Sequence, residues 1–246
     1  MTIRLAWLVA MSMVGGAISL LPHASLAQAQ GLQPLTCLLV PARTSAIGSD
    51  RVGIVRSVDV SRSDFVEIGA PLVRIDSELA EADLRVSRIS ITALEERLSR
   101  SEGLLLRNLI SLDEIGALRL DLQLALANEA RAQMEIDRAT IRAPFSGYVS
   151  HIAVSVGELI GPDPLLRLIE VSTLRAELVY LAGAFGQITV SDEIMVRVDL
   201  ADAEVMAVVT AIDLFIDATS NAFTVQAEIE NADLSLPAGT SCAVVN

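Results

Sequence analysis

Few residues in this 246-residue chain are equipped for covalent or acid–base chemistry. There are two histidines, His23 and His151, two cysteines, Cys37 and Cys242, and no lysine, since all 18 basic residues are arginine. A zinc site needs three or four His, Cys or carboxylate ligands, and a Ser or Cys nucleophile needs a base beside it. One or two isolated histidines and two distant cysteines supply neither. The 31 acidic residues are scattered along the chain and read as solvated surface rather than as catalytic pairs. The residues therefore speak against an enzyme, and no catalytic, metal or cofactor site is expected. A formal charge of −13 also speaks against nucleic acid, because binding a phosphate backbone takes clustered Lys and Arg to displace counterions.

The cysteines remain the one pair with covalent potential, and the N-terminus sets their surroundings. Arg4 precedes an apolar run from Leu5 to Leu21, a breaker at Pro22 and the small-x-small site Ser25-Leu26-Ala27. This is the pattern of a cleaved secretory signal over residues 1–27, with Gln28 as the first mature residue and an uncleaved anchor as the alternative. A lipid anchor fits less well, since Cys37 lies well past the apolar run. Cleavage removes Trp7 and His23, and the loss of Arg4 takes the net charge from −13 to −14. In an oxidising compartment we expect Cys37 and Cys242 to pair, closing the first strand of a domain onto its last. Two buried thiols acting as small hydrophobes are the alternative.

The elements around these residues repeat. The stretch GIVRSVDVSRSDFVEIGAPLVRID, from Gly53 to Asp76, is echoed by GYVSHIAVSVGELIGPDPLLRLI, from Gly147 to Ile169. Gly147 aligns with Gly53, Val149 with Val55, Glu158 with Asp64 and Leu159-Ile160 with Phe65-Val66; after a one-residue slip, Pro164-Leu165-Leu166-Arg167 echoes Pro71-Leu72-Val73-Arg74. Short β-branched runs broken by Gly, Ser and Asp read as small strands. Each half holds too few apolar positions to stand alone, so the halves are expected to pack face to face.

Between the halves the texture changes. From Ser77 to Thr140 there is no proline, and Leu84, Ile91, Leu98 and Leu105 recur every seven residues with Leu94 on the same stripe. Ser77 is the expected N-cap, with Glu78 and Glu81 in the first turn. The break falls near Asn108-Leu109-Ile110, after which Ser111 caps a second helix whose stripe is Ile115, Leu118, Leu122, Ala125, Ala132 and Ile136. LRLDLQLALA, from Leu118 to Ala127, alternates like a strand, yet its flanks are helix-favouring. Its leucine excess predicts a helix apolar on more than one face, suited to a neighbouring subunit. The second helix is expected to end at IRAPFSG, where Pro144 forces Ala143 out of helical geometry. After Val171 come LRAELVYL, EIMVRVDL, EVMAVVTAIDLFI, FTVQAEIE and TSCAVVN, strands of a small barrel that Leu35–Val40 completes.

This nested order resembles the HlyD-like membrane fusion proteins, the periplasmic adaptors of efflux pumps, over nearly the whole mature chain. Gly53-x-Val55 through Val66-x-x-Gly69-x-x-Leu72-x-x-x-Asp76 looks like the family's first lipoyl-like half. Ile141-Arg142-Ala143-Pro144-Phe145-Ser146-Gly147-Tyr148-Val149 looks like its second, and Leu236-Pro237-Ala238-Gly239 like its final barrel turn. The resemblance implies a mainly β, elongated fold with a long α-helical hairpin (α+β) of three parts. These are a β-barrel (28–50 and 171–246), a lipoyl-like β-sandwich of two half-motifs (51–76 and 140–170) and an antiparallel coiled-coil hairpin (77–139). It also implies partners: an inner-membrane efflux transporter, an outer-membrane channel and further copies of the chain in a ring, as a trimer of dimers or hexamer. In adaptors of resistance–nodulation–division (RND) transporters the hairpin tip carries an Arg, a Leu and a Ser that engage the channel. Here these fall on Arg100, Leu104 and Ser111, although Ser111 also reads as a simple N-cap and the other two as ordinary coiled-coil residues.

Three functions compete. A biotin or lipoate carrier shares the half-module fold but must present a lysine amine at a tight turn. The equivalent turn is Ser61-Arg62-Ser63-Asp64, and arginine cannot form that amide. A non-enzymatic RND adaptor in the periplasm, peripheral to the inner membrane, is the leading expectation, and an adaptor for an ABC-type exporter or type I secretion system is the alternative. Many such adaptors continue into a membrane-proximal domain. This chain stops at Asn246, so that domain is expected to be missing and contact with the transporter to fall mainly on the barrel.

Overall fold

A computed structural model describes residues 32–245. The expected signal peptide, residues 1–27 with Gln28 after it, lies outside the described residues. The chain forms β1 (Thr36–Ile47), β2 (Gly53–Val58), β3 (Phe65–Val66), β4 (Pro71–Ile75), α1 (Glu78–Leu105), α2 (Leu112–Arg138), β5 (Thr140–Arg142), β6 (Gly147–Ile152) and β7 (Leu159–Ile160). It continues through β8 (Leu166–Leu181), a single 3-10 turn at Ala182–Ala184, β9 (Glu193–Val198), β10 (Ala203–Ile212), β11 (Ala222–Glu230) and β12 (Cys242–Val245). It is mainly β, with two helices and curled sheets.

The largest sheet has eight strands and runs β12-β9-β10-β11-β8-β6-β3, with β1 also on β8. The edge strand β12 curls back to meet β1: Leu39 N–H donates to Thr240 C=O at 2.9 Å, Gly239 N–H donates to Leu39 C=O at 2.7 Å, and a disulfide joins Cys37 to Cys242 with their Cα atoms 4.9 Å apart. Period-two alternation explains the curl. Leu174, Ala176, Leu178 and Tyr180 of β8 and Phe223, Val225, Ala227 and Ile229 of β11 all face the interior and are buried.

A second core holds Val55, Leu72, Val73 and Ile75 from the first repeat and Val149, Val154, Ile160, Leu165 and Leu168 from the second. Here the structure refines the expectation of two halves laid face to face, because they exchange strands. β2 pairs with β7 of the other half, and β3 pairs with β6. The turn of each half bonds the opposite strand. Ser63 N–H donates to Val149 C=O at 2.7 Å and Val149 N–H to Asp64 C=O at 3.0 Å; Gly157 N–H donates to Val55 C=O at 2.8 Å and Val55 N–H to Glu158 C=O at 2.9 Å. Even the one-residue slip is kept, since Asp59 N–H donates to Leu72 C=O and Ala153 N–H to Leu165 C=O.

Gly53 and Gly147, the matching residues of the two repeats, each leave no room for a side chain. A Cβ on Gly53 would lie 2.5 Å from Ile75 Cγ2, and one on Gly147 would lie 2.4 Å from the Ile169 carbonyl oxygen. β1 and β8 run through both cores without a break, so the residue 170/171 boundary falls inside β8. A bulge marks the passage, Pro41 pairing with Leu174 and Arg43 with Glu170.

Helices α1 and α2 lie between the exchanged halves. Leu84 and Ile91 of α1 and Ile115, Leu118, Ala125 and Ala132 of α2 are buried along their seam, while Leu94, Leu98, Leu105, Leu122 and Ile136 are half-buried. Arg88–Glu129 and Arg119–Glu102, each at 2.9 Å, cross-brace the pair. Ser77 takes the N-cap position with Glu78 and Glu81 in the first turn, as expected, but its side chain makes no capping bond; Asp76 Oδ1 accepts the Glu78 N–H at 2.9 Å, and the Ser77 hydroxyl donates to Glu81. One expectation is corrected. Helix α2 ends at Arg138, ahead of IRAPFSG, because Thr140–Arg142 pair with β4 as a strand.

Candidate functional site

Residues 106–111 connect the helices, and sequence chemistry sets their path. Asn108 takes the left-handed conformation (φ 57°), which Asn tolerates because its short amide bonds locally. This lets Asn108 N–H reach Leu105 C=O at 2.8 Å and Leu109 N–H reach Leu104 C=O at 3.1 Å, the bond pair that closes a helix end in a Schellman motif. Ser111 is extended, and its Oγ accepts the Glu114 N–H at 3.1 Å to start α2. Asp113 and Glu114 then face the positive end of the helix dipole.

Arg100 and Leu104, one turn apart, share a face of α1. The Arg100 side chain is 68% exposed and meets Glu96 at 3.5 Å, an exposed pair that holds the guanidinium weakly. Leu104 is exposed, and Ser111 stands across the turn at the head of α2. The Ser111 hydroxyl keeps a proton to donate outward while its oxygen caps the helix. Sequence reasoning missed the companions of these residues: Leu106, Leu109 and Leu112 are 86%, 65% and 75% exposed. The signal was present as leucines where a solvent-facing turn would carry polar residues.

The turn Ser61–Asp64 closes on itself, with Ser61 N–H donating to Asp64 Oδ2 at 2.7 Å, and it presents no amine. Among the described residues no group of three or more His, Cys, Asp or Glu is placed to hold a metal, and no helix is long and apolar enough to cross a membrane.

Two helices inserted between strand-exchanged β halves, on a sheet that curls back to its first strand, make a fold shared with solved membrane fusion proteins. The chain is similar to a MacA–MexA chimera that contains the Pseudomonas aeruginosa MexA α-hairpin domain, with a TM-score of 0.74 and 16% identity over 85% of this chain and 78% of the chimera. It is equally similar to the membrane fusion protein Spr0693 of Streptococcus pneumoniae R6, with a TM-score of 0.74 and 16% identity over 86% and 97% of the two chains. It is also similar to ZneB of Cupriavidus metallidurans, with a TM-score of 0.54 and 17% identity over 85% of this chain and 94% of its own. An uncharacterised protein of Haemophilus influenzae is 23% identical over 200 residues, 80% of this chain and 52% of its own length, so the chain spans about half of that curated relative. No family model matches the chain.

Proposed function

We propose that the chain is an HlyD-like membrane fusion protein, a non-enzymatic periplasmic adaptor that links an inner-membrane RND efflux transporter to an outer-membrane channel for export of small molecules. In this reading the curled sheet is the β-barrel domain (28–50 and 171–246), the strand-exchanged core is the lipoyl-like domain (51–76 and 140–170), and residues 77–139 are the coiled-coil hairpin. The observation that carries the reading is the fold likeness to membrane fusion proteins over 85–86% of the chain, including a protein bearing the MexA α-hairpin. Arg100, Leu104 and Ser111 dock the channel, with Leu106, Leu109 and Leu112 filling apolar depressions around them. A guanidinium and a hydroxyl suit the carbonyls at a partner's helix ends.

Two further surfaces fit the same reading. Val86 and Ile89 on α1 and Leu120 and Leu124 on α2 are exposed, apolar and turned from the seam, as ring packing of copies requires. Leu214 and Phe215, 89% and 75% exposed, project from the β10–β11 loop that Asp217 organises, and they face the transporter.

The experiment is export of toxic compounds by cells carrying Arg100→Asp with Ser111→Arg, together with a photo-crosslinker at Phe215. Loss of export with folded, exported protein and a crosslink to an RND transporter are expected. Undiminished export withdraws the docking role, and a crosslink to an ABC permease assigns the alternative transporter.

A further inference from the structure

The helices leave the β core through two adjacent covalent junctions. α1 begins just after β4, α2 passes through Ala139 into β5, and Ile75 N–H donates to Ala139 C=O at 2.8 Å to hold the junctions together. Two junctions side by side resist twisting and sliding of the helix pair. The remaining freedom of the pair is a change of tilt about these junctions, which side-chain contacts beside them would limit. Contacts from the β core to the helix feet set that tilt.

The loop 48–52, between β1 and β2, supplies such a contact. Arg51 Nη1 donates to the Glu135 carbonyl at 3.1 Å, and its Nη2 donates to the Glu135 carboxylate. Glu135 is in the last turn of α2, where carbonyls lack partners within the helix, so the guanidinium caps an orphan acceptor at the negative end of the dipole. A planar fork that grips a carbonyl and a carboxylate of one residue fixes direction as well as distance. The loop is braced for the task, since Ser49 Oγ donates to Arg51 C=O at 2.8 Å and accepts Arg51 N–H at 3.1 Å. The Arg51 side chain is 22% exposed, so solvent screens this tie less than the cross-braces along the helices. Arg56–Glu78 at 2.8 Å, at the foot of α1, and Arg138–Asp50 at 3.9 Å, from the same loop to α2, are by contrast exposed on both sides, so solvent weakens them more. A half-open groove of about 650 Å³ runs between the bases of α1 and α2, past Leu79 and Asp83 on one side and Asn128 and Arg131 on the other, and Arg51 and Glu135 close one end of it.

We propose that Arg51 is the positioning residue that sets the tilt of the helix pair on the β core. The consequence for channel docking rests on the adaptor reading; the tilt itself belongs to the isolated chain. The test places nitroxide labels at Thr44→Cys in β1 and Ser99→Cys in α1, both exposed positions, and measures their distance distribution in the full mature protein. A narrow distribution is expected for the parent. Arg51→Gln and, independently, Glu135→Gln are expected to broaden it by about twofold while the thermal midpoint stays close to the parent's. Glu135→Gln keeps the carbonyl cap and the loop, so it carries the test if Arg51→Gln does not fold. Unchanged widths in the folded variants overturn the proposal. A broadened distribution with undiminished crosslinking of the tip to the outer-membrane channel upholds Arg51 as the strut, and then only the dependence of docking on tilt falls.

Discussion

Asn231 is the one buried polar residue among those described, and it closes a loop that no secondary structure holds. Its N–H donates to Ser172 C=O, its Nδ2 to Val171 C=O at 2.8 Å and to Leu236 C=O at 3.0 Å, and its Oδ1 accepts Leu236 N–H at 2.9 Å. Asn231→Ala strands those groups away from water and is expected to cost about 3 kcal/mol, read as a fall in the urea midpoint at unchanged slope. The glycines divide in the same physical way. Gly147→Ala drives a Cβ into the Ile169 carbonyl, and backbone shifts of this kind cost about 1–3 kcal/mol. Gly116→Ala, in α2 with no atom within 4 Å, is expected to gain up to about 1 kcal/mol. Three turn carboxylates add a pH dependence. Backbone N–H donors, joined by hydroxyls, hold Asp192, Asp217 and Asp233 below their ordinary value of 3.8. A carboxyl depressed on folding contributes fully above its unfolded value and loses that contribution as pH falls through the lower folded one. Urea midpoints are therefore expected to drop below about pH 4, and to drop less when all three are Asn.

At the scale of elements, the caps discriminate between two readings of the same foot of α1. Asp76→Ala removes the acceptor that Glu78 N–H uses and is expected to cost about 1 kcal/mol, whereas Ser77→Ala is expected to stay within about 0.5 kcal/mol. The reverse order in denaturant titrations would restore Ser77 as the cap. Asp and Ser are both good caps, and only the backbone angles decide which side chain reaches the free N–H groups. The helices themselves were legible because a 3.6-residue period places Leu84, Ile91, Ile115 and Leu118 on one seam, and even the period-two run LRLDLQLALA could not override its flanks. Ser111 was legible because Asp113-Glu114 follow it. The repeat was legible down to its slipped residue, yet the exchange of β3 and β7 between halves was not. Pairings such as Phe65 with Tyr148 depend on which halves meet in space, and local pattern carries no record of that. Arg51 stayed hidden for the same reason, since its partner lies 84 positions away.

On the scale of the whole molecule, the curled sheet depends on one seam. β12 is four residues long and pairs with β9 on one side; on the other it meets β1 through the Leu38–Ser241 bridge and the bonds of Leu39 to Thr240 and Gly239. The disulfide Cys37–Cys242 lies on that seam and spans 205 positions, so it closes a loop that contains both cores and both helices. Loop closure of this length is worth about 3–5 kcal/mol, most of it through loss of freedom in the unfolded chain. For a protein of this size that corresponds to a fall of roughly 10 °C in the thermal midpoint on reduction or in a double Cys→Ser variant. Hydrogen exchange should locate the effect. Leu39 and β12 are expected to lose protection first, because removing the bond leaves them few partners, while β8 and β11, paired on both sides, keep theirs. An unchanged midpoint would mean that the backbone bonds close the seam unaided. Equal loss of protection in β8 and β12 would mean that both cores unfold together once the seam opens.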